Sequence, residues 1–209
     1  MDDVRISSGR RERAKKDKRD RIMMAARELF PVRGVGGVTT QQIADLADVA
    51  IGTLYLYAST KAELLIMVQN EKFAAAIDDG LSAAESCSQG VLEEIIALIR
   101  PVVVCVREQI ENGRTYLHEL VFGDPAEPNR REGLALAARL EDGIASLLTR
   151  TDSKGTREDA DAITLARVVT AIMHISVTAS IFLQYTNEAV LEDIRTQIRA
   201  ILTTHSPVA

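Results

Sequence analysis

From residue 22 onward the apolar residues of this 209-residue chain recur every three or four positions, the period that paints one face of a helix. In RDRIMMAARELF the residues Ile22, Ala25, Ala26, Leu29 and Phe30 align in this way. No alternating run of Val, Ile, Thr or aromatic residues is bounded by an Asn-Gly or Asp-Gly turn, so the strand pattern is missing and the expected fold is all-α. With 46% hydrophobic residues the chain can bury a core spanning one or two domains, which excludes intrinsic disorder for most of it.

Pro31 and the glycines at 34, 36 and 37 end the first helix. Thr39 to Asp48 forms a second, with Ile43, Ala44, Leu46 and Ala47 inward, and Ile51 to Tyr57 a third. A fourth starts after Ser59 and Thr60, where Glu63 completes a capping box, and runs to about Gly80. Beyond a small, polar loop at 82–90, Val91 to Asn112 reads as a long helix kinked at Pro101, followed by Arg114 to Phe122 and Asn129 to Thr151. After a turn at Asp152 to Gly155 come one helix of roughly 30 residues, Thr156 to Asn187, and a last one, Glu188 to Thr204. Val168 to Asn187 has no charged residue and is long enough to suggest a membrane span. Its polar load, from Thr170 and His174 to Gln184, and its lack of aromatic belts point instead to a helix central to the core or shared with a second subunit.

Charge is unevenly spread. Residues 5–21 carry nine Lys or Arg against three Asp or Glu, whereas residues 73–209 carry 12 basic and 20 acidic. A basic end on an acidic body fits either a polyanion as the partner of the first segment or a solvated tail, and charge alone does not choose between them. That segment has no apolar stretch, so neither a signal peptide nor a membrane anchor is expected, and Cys87 and Cys105 show no metal or disulfide spacing. The expectation is a cytoplasmic protein without cofactor or metal. No GxGxxG, P-loop, HExxH or nucleophile elbow is present, and His118, His174 and His205 share no ligand spacing, so no enzyme is expected.

The second and third helices flank Ala47 to Ala50, a turn of the length found in a helix-turn-helix, with the first helix as brace. Ile43, Ala47, Val49 and Leu54 supply the inner packing, while Gly52, Thr53, Tyr55 and Tyr57 leave small or hydrogen-bonding groups outside, as entry into a major groove requires. At these residues the chain resembles the TetR, or tetracycline repressor-like, family of bacterial transcription regulators. The match runs through RIMMAARELF and GVTTQQIADLADVAIGTLYLYASTKAELL, about residues 20–66. The resemblance implies DNA contacts from Thr39, Thr40, Gln41, Ala50, Ile51, Gly52, Thr53, Tyr55, Tyr57 and Lys61, with Leu54 and Leu56 as packing or rim. The chain departs from the family at Ala50, which cannot cap the third helix, and at Ala58, where an aromatic plug is common. With no Arg, Lys, Asn or Gln on the third helix, base readout leans on Gln41, Thr53, the tyrosines and DNA shape.

The resemblance further implies an organisation into a basic, flexible arm at 1–20, a DNA-binding domain at 21–66 and an effector-binding and dimerisation domain at 67–209. Double-stranded DNA with a palindromic operator, a second copy of the chain and a small effector are then the partners. Effector-pocket candidates are Val102, Cys105, Val106, Tyr116, Leu120, Phe122, Leu140, His174, Thr178 and Phe182. Candidates for the dimer contact are Val169, Ile172, Ser176, Ala179, Ser180, Leu183, Leu191, Ile194 and Ile198. Repression relieved by a moderately apolar effector is the expected mode; a regulator controlled by a protein partner, or an activator, is the alternative.

Overall fold

The computed structural model of the protein describes residues 3–151 and 159–204. Among these residues all regular structure is helical. The helices are α1 (Asp3–Arg33), α2 (Thr40–Leu46), α3 (Ile51–Leu54), α4 (Lys61–Ser86), α5 (Val91–Arg107), α6 (Ile110–Phe122), α7 (Pro128–Thr151), α8 (Asp159–Thr178) and α9 (Asn187–Thr204), with a single 3-10 turn at Ser180–Phe182. The turn expected at Asp152 to Gly155, the start of a helix at Thr156, and His205 lie outside the described residues.

Two apolar cores form, and α4 serves both. Ile22, Ala26, Phe30, Ile43 and Leu54 pack with Leu64, Leu65 and Val68 of α4 around α1–α3. Ile66, Phe73 and Ile77 of α4 join α5–α9 in the larger one. Within the arm expected at 1–20, residues 3–20 are helical and continuous with α1.

Further boundaries differ from the sequence reading, and α4 runs on to Ser86, into the stretch expected to be a loop. The third helix ends at Leu54, and Leu56 and Tyr57 continue in a turn whose amides reach back three residues, to Thr53 and Leu54. The helix expected to reach Asn112 stops at Arg107, and Gln109 caps α6 by accepting from the Asn112 amide at 2.7 Å. Pro101 sits inside α5 without ending it. The long helix to Asn187 stops at Thr178, because Ala179 is extended. Arg107 holds the chain beyond it: its guanidinium donates to the carbonyls of Tyr185 (2.7 Å) and Phe182 (3.3 Å) and to Asn187 Oδ1 (3.0 Å). Helix α8 is still long and apolar enough by length and composition to cross a membrane, a test that core helices also pass.

The two cores are joined by a polar clamp at the N-terminus of α6. Gly34 takes a positive φ of 67°, turning the chain so that the Val35 amide donates to Asn112 Oδ1 at 2.7 Å. Asn112 Nδ2 donates to the Phe30 carbonyl at 2.8 Å, and the Gly36 amide donates to Glu111 Oε1 at 2.8 Å. Beside the clamp, a Cβ on Gly113 would lie 1.8 Å from the Val106 carbonyl, so only glycine allows α6 this close to α5.

Candidate DNA-binding surface and effector cavity

Helix α2 begins with a full capping box: Thr39 Oγ1 accepts from the Gln42 amide at 3.1 Å, and Gln42 Oε1 accepts from the Thr39 amide at 2.9 Å. Asp48 adopts a positive φ of 51° in the following turn. Arg21 of α1 locks that turn, donating to the Ala47 and Asp48 carbonyls at 3.0 Å each. Ala50 then starts α3 without a side-chain cap, so the first amides of α3 stay open to an outside acceptor.

On the outer side of this pair Thr40 Oγ1 and the Tyr55 hydroxyl lie 3.1 Å apart, so α2 and the end of α3 share one polar surface. Gln41 is exposed and held by Asp45 at 2.7 Å. Gly52 has open space where a Cβ would stand, which leaves its backbone approachable. Ile51 and Thr53 are half-buried, and Ile51 packs on the core. Of the two tyrosines expected outside, only Tyr55 is well exposed. Tyr55 is 47% exposed, whereas Tyr57 packs on the core and donates its hydroxyl to the Lys15 carbonyl at 3.1 Å. Lys61 Nζ donates to the Val38 carbonyl at 2.8 Å, which fixes the ammonium beside α2 with donors to spare. Leu54 is fully buried, but Leu56, read as packing or rim, is 81% exposed at this surface.

The larger core holds a cavity of about 320 Å³ between α4, α5, α6, α7 and α8, partly open to the surface at Leu134 and Ala138. That is near the lower bound of ligand pockets, about 300 Å³. Of the candidates, Val102, Val106, Leu120, Leu140 and His174 line it. The other five do not. Tyr116 is buried in the core, its hydroxyl donating to Asn70 Oδ1 at 2.9 Å, and burial pushes it well above the ordinary phenol pKa. Phe122 is 73% exposed and lies against His118. Phe182 meets Tyr185 edge-on beyond the end of α8, and Thr178 donates to the His174 carbonyl at 2.6 Å. Cys105 packs at the rim of the core, where burial raises its thiol to about 11 and leaves it unreactive near neutrality. The walls missed by sequence reasoning are Phe73, Val103, Leu117, Leu134, Ala137, Ala138, Met173 and Val177, with Glu141 and Thr170 as polar members. They carry no signal beyond helical period, which core residues share.

Glu141 is held by Arg167 at 3.0 Å, and burial lowers the pKa of His174 below its ordinary 6.5, so the cavity presents a neutral imidazole at neutral pH. A lowered histidine pKa means that the unfolded chain takes up a proton the folded chain refuses, so this group costs stability as pH falls below about 6.5. Urea unfolding midpoints are expected to drop between pH about 7.5 and 5.5, and to drop less in His174→Gln. Identical pH profiles would contradict the burial of the ring.

The dimer-contact candidates are largely internal: Val169, Ser176, Leu191, Ile194 and Ile198 are buried within the protomer. Ile172 and Leu183 are half-buried, as is Ala179, and Ser180 is exposed. The apolar residues that α8 turns outward are Ile163, Val168 and Ile175, the last 60% exposed, and Ile181 follows them. Helix α8 is thus apolar on an inward face, at Val169 and Met173, and on an outward one, at Val168 and Ile175.

Residues 22–68 match the model of the family described as bacterial regulatory proteins, tetR family. Over 61 residues the chain is 36% identical to the HTH-type transcriptional repressor KstR of Mycobacterium tuberculosis, a match spanning 29% of this chain and 28% of that relative's length. In overall fold it is similar to Thermus thermophilus FadR, a TetR-family transcriptional repressor solved with lauroyl-CoA. The TM-score is 0.69 at 22% identity, over 91% of this chain and 96% of that one. It is also similar to Bacillus subtilis FadR, a transcriptional regulator solved with stearoyl-CoA, with a TM-score of 0.62 at 18% identity over 85% and 96% of the two chains.

Proposed function

We propose that this chain, which belongs to the TetR family of bacterial transcriptional regulators, is a homodimeric repressor of a palindromic operator, released when an acyl chain carried on coenzyme A enters the cavity. The observation that carries the reading is α6, which walls the apolar cavity with Leu117 and Leu120 and grips the helix-turn-helix unit with Asn112 and Glu111. A ligand that moves this helix moves the reading surface. The FadR proteins with their acyl-CoA ligands support the effector class. A cavity of about 320 Å³ takes an acyl chain, not the nucleotide, so the coenzyme lies outside.

Residues 21–66 form the DNA-binding domain and 67–209 the effector and dimerisation domain. The capped start of α2, with Thr39, Thr40 and Gln41, and Lys61 at the start of α4 meet backbone phosphate. Ala50, Ile51, Gly52, Thr53 and Tyr55 face the groove, where Gly52 lets the backbone approach, while Tyr57, packed on the core and bonded to the Lys15 carbonyl, positions the reading surface against α1. The outward face of α8 at Val168 and Ile175, seven residues apart, with α9 beside it, forms the subunit contact, because an exposed apolar helix face of this kind calls for a partner.

Selection of bound duplexes from a random pool, followed by titration with lauroyl-CoA, tests the reading. A two-fold symmetric site bound by a dimer is expected, with operator affinity falling about 5- to 150-fold at saturating acyl-CoA. No enriched site overturns it. An enriched site indifferent to acyl-CoA supports control by a protein partner instead.

A further inference from the structure

We propose that the part of α1 ahead of residue 21 is a second DNA contact, a rigid basic helix laid against the phosphates that flank the operator. The inference rests on α2–α3 being the reading surface. Its starting point is a change of character along one helix face. Within the domain, α1 turns Ile22, Ala25, Ala26 and Phe30 into the core. Three, four and seven residues before Ile22 the same face carries Arg19, Lys18 and Lys15, and all three are exposed. A face that is apolar where it is covered and basic where it leaves the fold fits an anionic partner.

Geometry places that face beside the reading surface. The Tyr57 hydroxyl donates to the Lys15 carbonyl at 3.1 Å, and Arg21 spans the Ala47–Asp48 turn, so α1 leaves the domain alongside the α2–α3 unit. Asp17 is turned back onto Arg21 at 3.5 Å, which withdraws one of the nearby acidic groups. Residues 73–209, with 12 basic and 20 acidic side chains, carry a net negative charge that disfavours DNA as a partner. The eighteen residues 3–20 span ~27 Å as helix, the length of about eight base pairs. A helix ~10 Å across is too wide for a minor groove of ~6 Å, so the contact is with backbone phosphate and carries no base readout.

The test is a salt titration on the selected operator, once with about ten base pairs of flanking duplex on each side and once trimmed to the core, using full-length protein. Lys15→Gln/Lys18→Gln/Arg19→Gln keeps helix propensity and removes three exposed charges. On the flanked operator the slope of log K against log salt is expected to shrink by about 2–3 per protomer. Affinity for random duplex is expected to fall by the same factor as for operator, and both effects are expected to vanish on the trimmed site. Arg13→Gln, on the opposite face of the helix, retains the wild-type slope. Equal slopes for the triple variant and wild type on the flanked operator overturn the proposal while leaving the α2–α3 reading intact. If wild type selects no operator, both readings fall together.

Discussion

Asn112→Ala is expected to lower the unfolding free energy by about 3 kcal/mol, because it removes the clamp between the two cores and leaves a buried amide without an acceptor. Asn112 is 4% exposed, and its Oδ1 is the acceptor for the Val35 amide at 2.7 Å. The Phe30 carbonyl loses less, since the Gly34 amide still donates to it at 3.0 Å. The cost is therefore one orphaned donor plus the space the amide filled. Asn112→Asp separates the two contributions: a carboxylate keeps the bond from Val35 but sets a negative charge against the Phe30 carbonyl, where only a protonated carboxyl can donate. Urea denaturation is expected to show Asn112→Asp destabilised at neutral pH and regaining ground relative to wild type as the pH is lowered, with Asn112→Ala showing no such gain. Wild-type stability in Asn112→Ala would mean that the clamp contributes nothing. Because the clamp is also the polar tie between α6 and the helix-turn-helix unit, operator release by acyl-CoA should weaken in the same variants. That weakening is readable as a smaller ratio of free to loaded affinity.

What could be read from the sequence was local. The capping box at Thr60–Glu63 and the missing cap at Ala50 are short-range patterns, and α3 and α4 start where they were expected to. The end of α8 was not legible, because the chain from Ala179 onward is held by Arg107, some 75–80 residues earlier. Asn112 gave no signal for the same reason: it belongs to an ordinary amphipathic helix, and its partners lie 77 and 82 residues away. The cavity was half legible. Val102 and Val106 were picked out by the inward face of α5, but Cys105 and Tyr116 sit on equally apolar positions that point elsewhere. On α8 the inward Val169 and Met173 and the outward Val168 and Ile175 have the same character, so period alone could not choose the exposed face.

The cavity makes the second large prediction. Ala137→Phe projects a ring from α7 into the cavity that Val103 of α5 and Met173 of α8 also line. A void of about 320 Å³ has room for it, so the variant is expected to fold with stability within about 1–2 kcal/mol of wild type and to bind operator as before. The ring takes volume that an acyl chain would fill. Displacing about four methylenes, at about 0.8 kcal/mol each, removes about 3 kcal/mol of effector binding, or roughly 200-fold in the lauroyl-CoA concentration needed for release. A shorter acyl group, which needs less of the cavity, should lose less, so the penalty is expected to grow with chain length from butyryl- to lauroyl-CoA. Operator release measured by fluorescence anisotropy checks both. A uniform loss across chain lengths would mean that the ring disturbs α6 and leaves the acyl site open, and an unchanged lauroyl-CoA response would place the effector outside this cavity.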